Sequence, residues 1–453
     1  MVGMSHDWNL ARVAEVTGSR LLTEGDRTVS GFTTDTREVP QESIFVGISG
    51  ERVDGGTLAG EAIKAGATAA LISEAALQVL GSDSDSLPLI ICEDTTAALA
   101  ALGRASRERL SCPVIGITGS TGKTSTKDIL GAIFASSAST FVSAGNRNTE
   151  IGMPLELLRI PEGTDAVVLE MAMRGEGQIA ELTRIAKPDA GIIINVGPVH
   201  IETLGSIERV AAAKSELMAG LAPGSVVVVP AGDDLLAPYL RDDLDTVTFG
   251  PTGDCRIVEV NGRRLTLDLR GARHSIEVDF DQPHNRLNFL AAAALALSLG
   301  FELPDSLRVD FSGLRGQRRA FGREVVVIDD CYNANPMSMR AALADLAGES
   351  ERRGGRMVAV LGDMLELGPD SSSHHRQIGV EAAALGVDVL ITAGERSAAA
   401  AEAFGGRHLA AANADEAADA LLSVLEEGDT VLVKASRGIG LEVVAQRVER
   451  DWV

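Results

Sequence analysis

The chain has 453 residues, a formal net charge of -23 at pH 7 and 23% charged residues. This length predicts about three domains, each large enough to bury a core. The negative charge argues against nucleic acid and anionic membranes as standing partners, because both would repel the chain. The four cysteines, Cys92, Cys112, Cys255 and Cys331, show no paired metal spacing, which indicates reduced thiols in a cytoplasm.

Nothing in the sequence predicts a membrane span or a secretory signal. No apolar run approaches the ~20 residues that cross a bilayer. The N-terminal segment MVGMSHD lacks a basic region followed by an apolar core. We therefore expect a cytoplasmic monomer that acts on small molecules, with no nucleic-acid and no membrane partner.

The predicted elements alternate between short apolar strands and alanine-rich helices. Residues 43–48 and 69–72 are predicted strands, and residues 61–65 lie in a predicted helix. This pattern predicts a small α/β domain over residues 1–110.

The segment VIGITGSTGKTST, from Val114 to Thr126, is a β-branched run that breaks into a glycine loop before a helix-forming stretch. In such a loop the backbone N–H groups and the helix N-terminus bind phosphate oxygens, a lysine such as Lys123 reaches the β- and γ-phosphates, and a hydroxyl such as that of Thr124 ligates Mg²⁺. The general P-loop pattern has its first glycine where this chain has Ile117. The residues predicted to bind the nucleotide here are Gly119, Ser120, Thr121, Gly122, Lys123, Thr124 and Ser125.

The predicted central domain, residues 111–310, continues with buried-strand patterns at residues 165–170 and 190–195, which are typical of a parallel sheet. Residues 247–281 alternate between apolar and polar positions and predict an antiparallel insertion. Glu170 ends one strand and His200 lies just past another, where ligands of parallel sheets gather, so both are candidate Mg²⁺ ligands. Composition alone would make Lys214 a solvated helix lysine.

Residues 311–453 contain four strand patterns separated by helices, at residues 324–329, 357–361, 387–392 and 430–434. This alternation predicts a C-terminal Rossmann-like domain.

The order of several sequence blocks resembles the Mur ligase family over nearly the whole chain. The blocks are TGSTGKT (118–124), GNRNTEIGMP (145–154), EMAMRG (170–175), NVGPVH (195–200), AKSE (213–216), HNRLN (284–288), DDCYNANP (329–336), LGDMLELG (361–368) and KASR (434–437). The resemblance implies three domains: an N-terminal α/β domain for the uridine nucleotide, a central P-loop ATPase domain with a parallel sheet, and a C-terminal Rossmann-like domain. It also implies an ATP-dependent ligase of peptidoglycan precursor synthesis, which joins D-alanyl-D-alanine to UDP-N-acetylmuramoyl tripeptide through an acyl phosphate.

The resemblance also implies roles for individual residues around ATP and two Mg²⁺ ions. Lys123, His200 and Lys214 would be catalytic. Thr124 and Glu170 would hold one Mg²⁺ and His200 a second, with Lys214 carbamylated by CO₂ as a further ligand. Asn288 would contact adenine. The nucleotide site would be completed by Asp330, Tyr332 and one of Arg315 or Arg318, of which Arg318 is taken into the predicted site.

Substrate contacts are likewise predicted from the resemblance. Candidates for the UDP-muramyl peptide are Thr36, Arg37, Asn146, Asn148, Thr149 and Arg174. Candidates for the dipeptide are Asn333, Asn335, Leu365, His374 and His375. Simple solvation is the alternative for the paired histidines, and a surface position is the alternative for Arg174.

The chain departs from the family pattern at Gly56, where a histidine is usual, and at residues 282–283, Cys331 and Ala435. Because Gly56 lies in the domain expected to bind the UDP-sugar, a related ligase of specialised metabolism with another carboxylate and amine stays open. A switch GTPase would need an Asn-Lys-x-Asp segment, and no asparagine here precedes a lysine. A P-loop nucleotide-binding protein without ligase activity is a remote alternative.

Overall fold

The computed structural model describes residues 8–50 and 52–452. Within these residues the strands form three sheets, of five, ten and six strands, in succession along the chain. The N-terminal segment, for which no secretory signal is predicted, lies outside the described residues. Among the residues described, no helix combines the length and apolar composition that a bilayer crossing requires.

The N-terminal sheet is parallel except at one edge. Its strands are β1 (Arg20–Leu21), β2 (Gly31–Thr33), β3 (Ser43–Val46), β4 (Ala69–Ser73) and β5 (Leu89–Cys92). The accompanying helices are α1 (Leu10–Thr17), α2 (Ala59–Ala65), α3 (Glu74–Leu80) and α4 (Thr95–Arg107). The strand order is β1-β5-β4-β3-β2, with β1 antiparallel to β5. Strands β3 to β5 are buried along their whole length, as continuous apolar strands of parallel sheets are.

The central sheet carries the glycine loop. Its strands are β6 (Val114–Thr118), β7 (Thr140–Val142), β8 (Ala166–Glu170), β9 (Ala190–Ile193), β10 (Val226–Pro230), β11 (Asp245–Phe249), β12 (Cys255–Asn261), β13 (Arg264–Leu269), β14 (Ala272–Val278) and β15 (Ser306–Leu307). Its helices are α5 (Lys123–Ala135), α6 (Gly152–Leu157), α7 (Gln178–Ala186), α8 (Ile201–Leu204), α9 (Ile207–Gly220) and α10 (Pro283–Ser298). The order is β15-β14-β13-β12-β11-β10-β9-β6-β8-β7. Helix α10 is apolar nearly all round because it lies inside the core, where Phe289 is fully buried.

The predicted antiparallel insertion is partly wrong. Strands β12, β13 and β14 do pair antiparallel. However, β11 pairs parallel with β10, and the hairpins extend the same sheet instead of forming a separate unit. A strand of a parallel sheet and a hairpin strand have the same alternation when one face is solvated, so the sequence pattern could not separate them.

The C-terminal sheet contains two strands that the sequence did not predict. Its strands are β16 (Gln317–Ala320), β17 (Val326–Asp329), β18 (Met357–Gly362), β19 (Val389–Ala393), β20 (Arg407–Ala411) and β21 (Thr430–Lys434). Its helices are α11 (Pro336–Arg353), α12 (Ser371–Ala384), α13 (Ala398–Phe404), α14 (Ala414–Val424) and α15 (Glu442–Asp451). The order is β16-β17-β21-β18-β19-β20, parallel except for β16. The missed strands, β16 and β20, are the two edges, whose polar composition hides them from an apolar pattern.

Candidate active site

The glycine loop joins the end of β6 to the start of α5, at the carboxyl edge of the central sheet. Gly122 has a φ of 81°, a left-handed conformation that favours glycine. A Cβ at Gly122 would also lie 2.6 Å from the Asn288 side-chain oxygen. The loop therefore needs glycine there for two reasons, and Asn288, predicted to contact adenine, lies against it.

Residues that follow β9 hold the loop in place. The Asn195 side-chain oxygen accepts hydrogen bonds from the backbone N–H groups of Ser120 and Thr121, at 3.1 and 3.0 Å. The Ser120 hydroxyl donates to the Gly197 carbonyl at 3.0 Å. The sequence did not predict that this segment supports the glycine loop. The available signal was a polar residue, Asn195, at the end of a buried strand.

Thr124 and Glu170 meet at the predicted magnesium site. The Thr124 hydroxyl donates to one Glu170 carboxylate oxygen at 2.5 Å, and the Asn148 amide donates to the other at 2.8 Å. All three side chains are buried. A hydroxyl and a carboxylate beside a phosphate loop are the hard oxygen donors that Mg²⁺ prefers, so these residues fit that ion.

Several basic side chains lie near the Thr124 hydroxyl and the Glu170 carboxylate. The Lys123 ammonium donates to the Gly119 carbonyl at 2.8 Å. Burial lowers the pKa of Lys123, the charge of Arg315 lowers it further, and Glu170 opposes both. Burial also lowers the pKa of His200, with the charges of Lys123 and Lys214 acting in the same direction against Glu366. These groups therefore share one electrostatic environment.

Lys214 is not the solvated helix lysine that composition alone would make it. It lies on α9, and only 2% of its surface is exposed. Burial, aided by the charge of Lys123, lowers the pKa of Lys214 well below its ordinary value. A neutral, buried amine is the form that reacts with CO₂. Among the described residues no group of three or more His, Cys, Asp or Glu side chains is placed to hold a metal ion.

The two candidate arginines, Arg315 and Arg318, have different surroundings. Arg318 lies on β16 and forms ion pairs with Asp345 at 2.7 Å and Glu349 at 3.1 Å, both on α11. Arg315 stacks over the Tyr332 ring, with its guanidinium carbon 4.0 Å from the ring centroid. Burial lowers the pKa of Lys123 and the charge of Arg315 acts in the same direction, so Arg315 lies near that lysine of the glycine loop.

Asp330 lies at the junction of the central and C-terminal domains. Its carboxylate accepts a hydrogen bond of 2.6 Å from the buried Lys434 ammonium, which also donates to the Asn333 carbonyl at 2.9 Å. Burial lowers the pKa of His284, whereas the negative charge of Asp330 raises it. The DDCYNANP, HNRLN and KASR blocks, distant in sequence, therefore meet here.

The predicted muramyl-peptide residues are spread over two domains. Thr36 is half-buried and Arg37 is exposed in the N-terminal domain, where Arg37 pairs with Asp35 at 2.6 Å. Asn146, Thr149 and Arg174 are exposed in loops that follow β7 and β8. Asn148 instead turns inward to Glu170.

Glu156, which sequence analysis missed, organises the loop that carries these asparagines. Its carboxylate is fully buried and accepts from the Ala144 N–H at 2.7 Å, from Arg147 at 3.1 Å and from Arg159 at 3.0 Å. A glutamate within the apolar run MPLELL of α6 was the available signal.

Four of the five predicted dipeptide residues form hydrogen bonds within the protein. Asn335 is the N-cap of α11, where its side-chain oxygen accepts from the Ser338 N–H at 2.9 Å in a capping box. His375 is buried and accepts from the Met364 N–H at 2.9 Å, so simple solvation does not describe it. His374 is half-buried, and Leu365 donates its N–H to the Ser436 hydroxyl at 2.9 Å. The Asn333 side-chain oxygen accepts from the Ala334 N–H at 2.9 Å.

The three-domain fold and a phosphate loop beside Thr124 and Glu170 define a Mur-type ligase architecture. Family comparisons agree: the Mur ligase family catalytic domain matches residues 28–106, the Mur ligase middle domain residues 117–296, and the Mur ligase glutamate ligase domain residues 315–437. The chain belongs to the Mur ligase family.

Individual relatives are similar over nearly the whole chain. A UDP-N-acetylmuramoyl-tripeptide--D-alanyl-D-alanine ligase of Synechocystis sp. is 35% identical, covering 93% of this chain and 92% of the relative. The enzyme of that name from Bacillus subtilis is 33% identical, covering 92% and 93%. Among solved structures, MurF from Acinetobacter baumannii matches with a TM-score of 0.87 at 27% identity, covering 98% and 99% of the two chains. MurF ligase from Thermotoga maritima in complex with ADP matches with a TM-score of 0.80 at 27% identity, covering 93% and 97%.

Proposed function

We propose that this protein is an ATP-dependent ligase that joins D-alanyl-D-alanine to UDP-N-acetylmuramoyl tripeptide in peptidoglycan precursor synthesis. The observation that carries the proposal is the Thr124–Glu170 pair beside Lys123 and Lys214, in a chain similar to enzymes of that name over more than nine-tenths of its length. The ADP complex of the similar T. maritima enzyme supports ATP as the nucleotide.

The first step activates the tripeptide carboxylate. A carboxylate oxygen attacks the γ-phosphorus of ATP, the bond from that phosphorus to the β–γ bridging oxygen breaks, and ADP leaves. Negative charge develops on the phosphoryl oxygens during the transfer. Lys123, Arg315 and N–H groups of the glycine loop are the donors proposed to stabilise this charge.

Magnesium ions would supply further positive charge at the phosphates. Thr124 and Glu170 are the residues that would hold one ion, and His200 with carbamylated Lys214 would hold another. Asn148 orients the Glu170 carboxylate through its amide. Lys214 fits carbamylation because its buried amine is readily neutral.

The second step forms the amide. The dipeptide nitrogen attacks the carbonyl carbon of the acyl phosphate, the bond from that carbon to the phosphate oxygen breaks, and phosphate leaves as the nitrogen loses a proton. Water must be excluded until the amine arrives, since it would hydrolyse the acyl phosphate. The C-terminal domain supplies Arg315, Asp330 and Tyr332 and so encloses the site.

Substrate roles are assigned by position. Thr36, Arg37, Asn146, Thr149 and Arg174 are proposed to contact the UDP-muramyl peptide, and Asn333 the dipeptide. Asn288 is proposed for adenine. The proposed domains are residues 1–110, 111–310 and 311–453.

We also propose that the protein is a cytoplasmic monomer. Its four cysteines are free thiols, which fits a reducing compartment.

Product formation from alternative acids tests the substrate assignment. The purified protein is given ATP, Mg²⁺, D-alanyl-D-alanine and either the UDP-linked tripeptide or the same peptide without UDP, and ADP is measured. The proposal predicts ADP formation with the UDP-linked acid and little with the other. Preference for an acid without UDP would favour the ligase of specialised metabolism.

A further inference from the structure

The central and C-terminal domains meet at two preformed loops. The histidine loop, residues 195–200, follows β9 and includes His200. The docking loop, residues 363–368, follows β18 and includes Glu366. The Glu366 carboxylate is hydrogen-bonded to Nδ1 of His200, and the Glu366 carbonyl accepts from the Glu202 N–H at 3.3 Å.

Each loop is held by its own domain. The docking loop is fixed by the Met364 N–H bond to His375 and the Leu365 N–H bond to Ser436, both 2.9 Å, and the Leu367 side chain is fully buried. The histidine loop is fixed by the Gly197 N–H, which donates to the Ser120 hydroxyl at 2.9 Å. The contact between the loops therefore joins two surfaces that are each held by hydrogen bonds within their own domain.

The backbone at the contact is unusual on both sides. His200 has a φ of 54° and Glu366 a φ of 62°, although neither is glycine. Such conformations are uncommon and persist where the surroundings impose them, often at functional sites. Here they belong to the two residues whose side chains meet.

The fit extends beyond this pair. A Cβ on Gly197 would lie 2.0 Å from the Met337 sulfur, so the first turn of α11 packs directly on the histidine loop. Away from the site, Arg352 forms an ion pair with Asp281 at 2.8 Å across the same two domains. This arrangement is a docked state, which domain opening would separate.

We propose that Glu366 is a positioning residue that reaches His200 only when the C-terminal domain docks, so that the His200 imidazole is oriented for the reaction in the closed molecule alone. Its role as a positioning residue in catalysis rests on the proposed function, whereas its role in docking does not. This role accounts for the contact between a carboxylate of the C-terminal domain and a residue of the phosphate site. It also assigns a structural role to His375, which holds the docking loop that carries Glu366.

Hydrogen exchange and X-ray scattering on the full chain with ADP and Mg²⁺ test this inference. For Glu366→Ala we expect exchange across residues 197–204 to accelerate by roughly tenfold, as loss of one charge-assisted hydrogen bond would give. The radius of gyration should rise. Glu366→Gln retains an oxygen acceptor and should lie between Glu366→Ala and the wild type. The control Glu202→Ala removes an exposed carboxylate from the same interface and should behave as the wild type.

Kinetic constants and the melting temperature together distinguish a loss of His200 positioning from a loss of folding. Glu366→Ala should raise the KM for the dipeptide and lower kcat while its thermal melting temperature stays near that of the wild type. Unchanged exchange and scattering in Glu366→Ala would overturn the inference, and Glu366→Gln carries the test if the alanine variant fails to fold. Hydrogen exchange and scattering do not require ligase activity. An inactive wild type would therefore refute the proposed function, and the two measurements would still test the docking role of Glu366.

Discussion

The Thr124 hydroxyl lies 2.5 Å from the Glu170 carboxylate, which links the first turn of α5 to the end of β8. Replacing Glu170 with glutamine keeps the shape and removes the charge. We expect the Mg²⁺ concentration for half-maximal activity to rise at least about tenfold, since even changes behind the metal ligands cost that much. A titration of ADP formation against Mg²⁺ measures it. An unchanged Mg²⁺ requirement would remove Glu170 from the metal site.

Lys123→Ala should reduce ATP turnover by about 10² to 10³ without unfolding the protein, because it removes a preoriented charge from the transferring phosphoryl group. Phosphate release and circular dichroism report the two effects. Lys64→Ala, an exposed lysine of α2, is the control and should be fully active. An active Lys123→Ala enzyme would contradict the phosphate role.

Lys214→Ala should lose activity that short carboxylic acids such as acetate partly restore, since they can occupy the space of the carbamate. Burial lowers the pKa of Lys214, which favours the uncharged amine that reacts with CO₂, so activity of the wild type should also fall when CO₂ is depleted. Lys214→Arg fills the space and cannot be carbamylated, and should show no rescue. Full activity of Lys214→Ala without added acid would exclude the carbamate.

Substitution of Arg315 should weaken ATP binding, whereas substitution of Arg318 should lower the stability of the fold. Arg315→Ala should raise the KM for ATP by about tenfold while melting normally, because it removes one charge-assisted contact. Arg318→Ala should lower the free energy of unfolding by about 1–3 kcal/mol, because Asp345 would be left buried without its partner. The opposite assignment of the two effects would restore Arg318 to the nucleotide site.

Asn335→Ala should destabilise the protein by about 1 kcal/mol through loss of the α11 N-cap. Asn335→Ser retains a capping oxygen and should recover most of this stability, as thermal melts would measure. If both variants raise the KM for the dipeptide equally, Asn335 contacts substrate as the sequence predicted.

The sequence predicted the glycine loop and most strands because these depend on local patterns: a β-branched run, glycines and a following helix. It could not distinguish Arg315 from Arg318, since two arginines in one polar segment differ only in the residues that they contact after folding. It missed β16 and β20 because edge strands carry polar residues. The burial of Lys214 was not visible either, because an alanine-rich helix gives no sign of which face is covered.

The most direct test is phosphate release from ATP and UDP-N-acetylmuramoyl tripeptide, measured with and without D-alanyl-D-alanine, with mass analysis of the product. The account predicts dipeptide-dependent release and a product heavier by the dipeptide less one water. Release that ignores the dipeptide, or no new product from protein that still binds ATP, would contradict it.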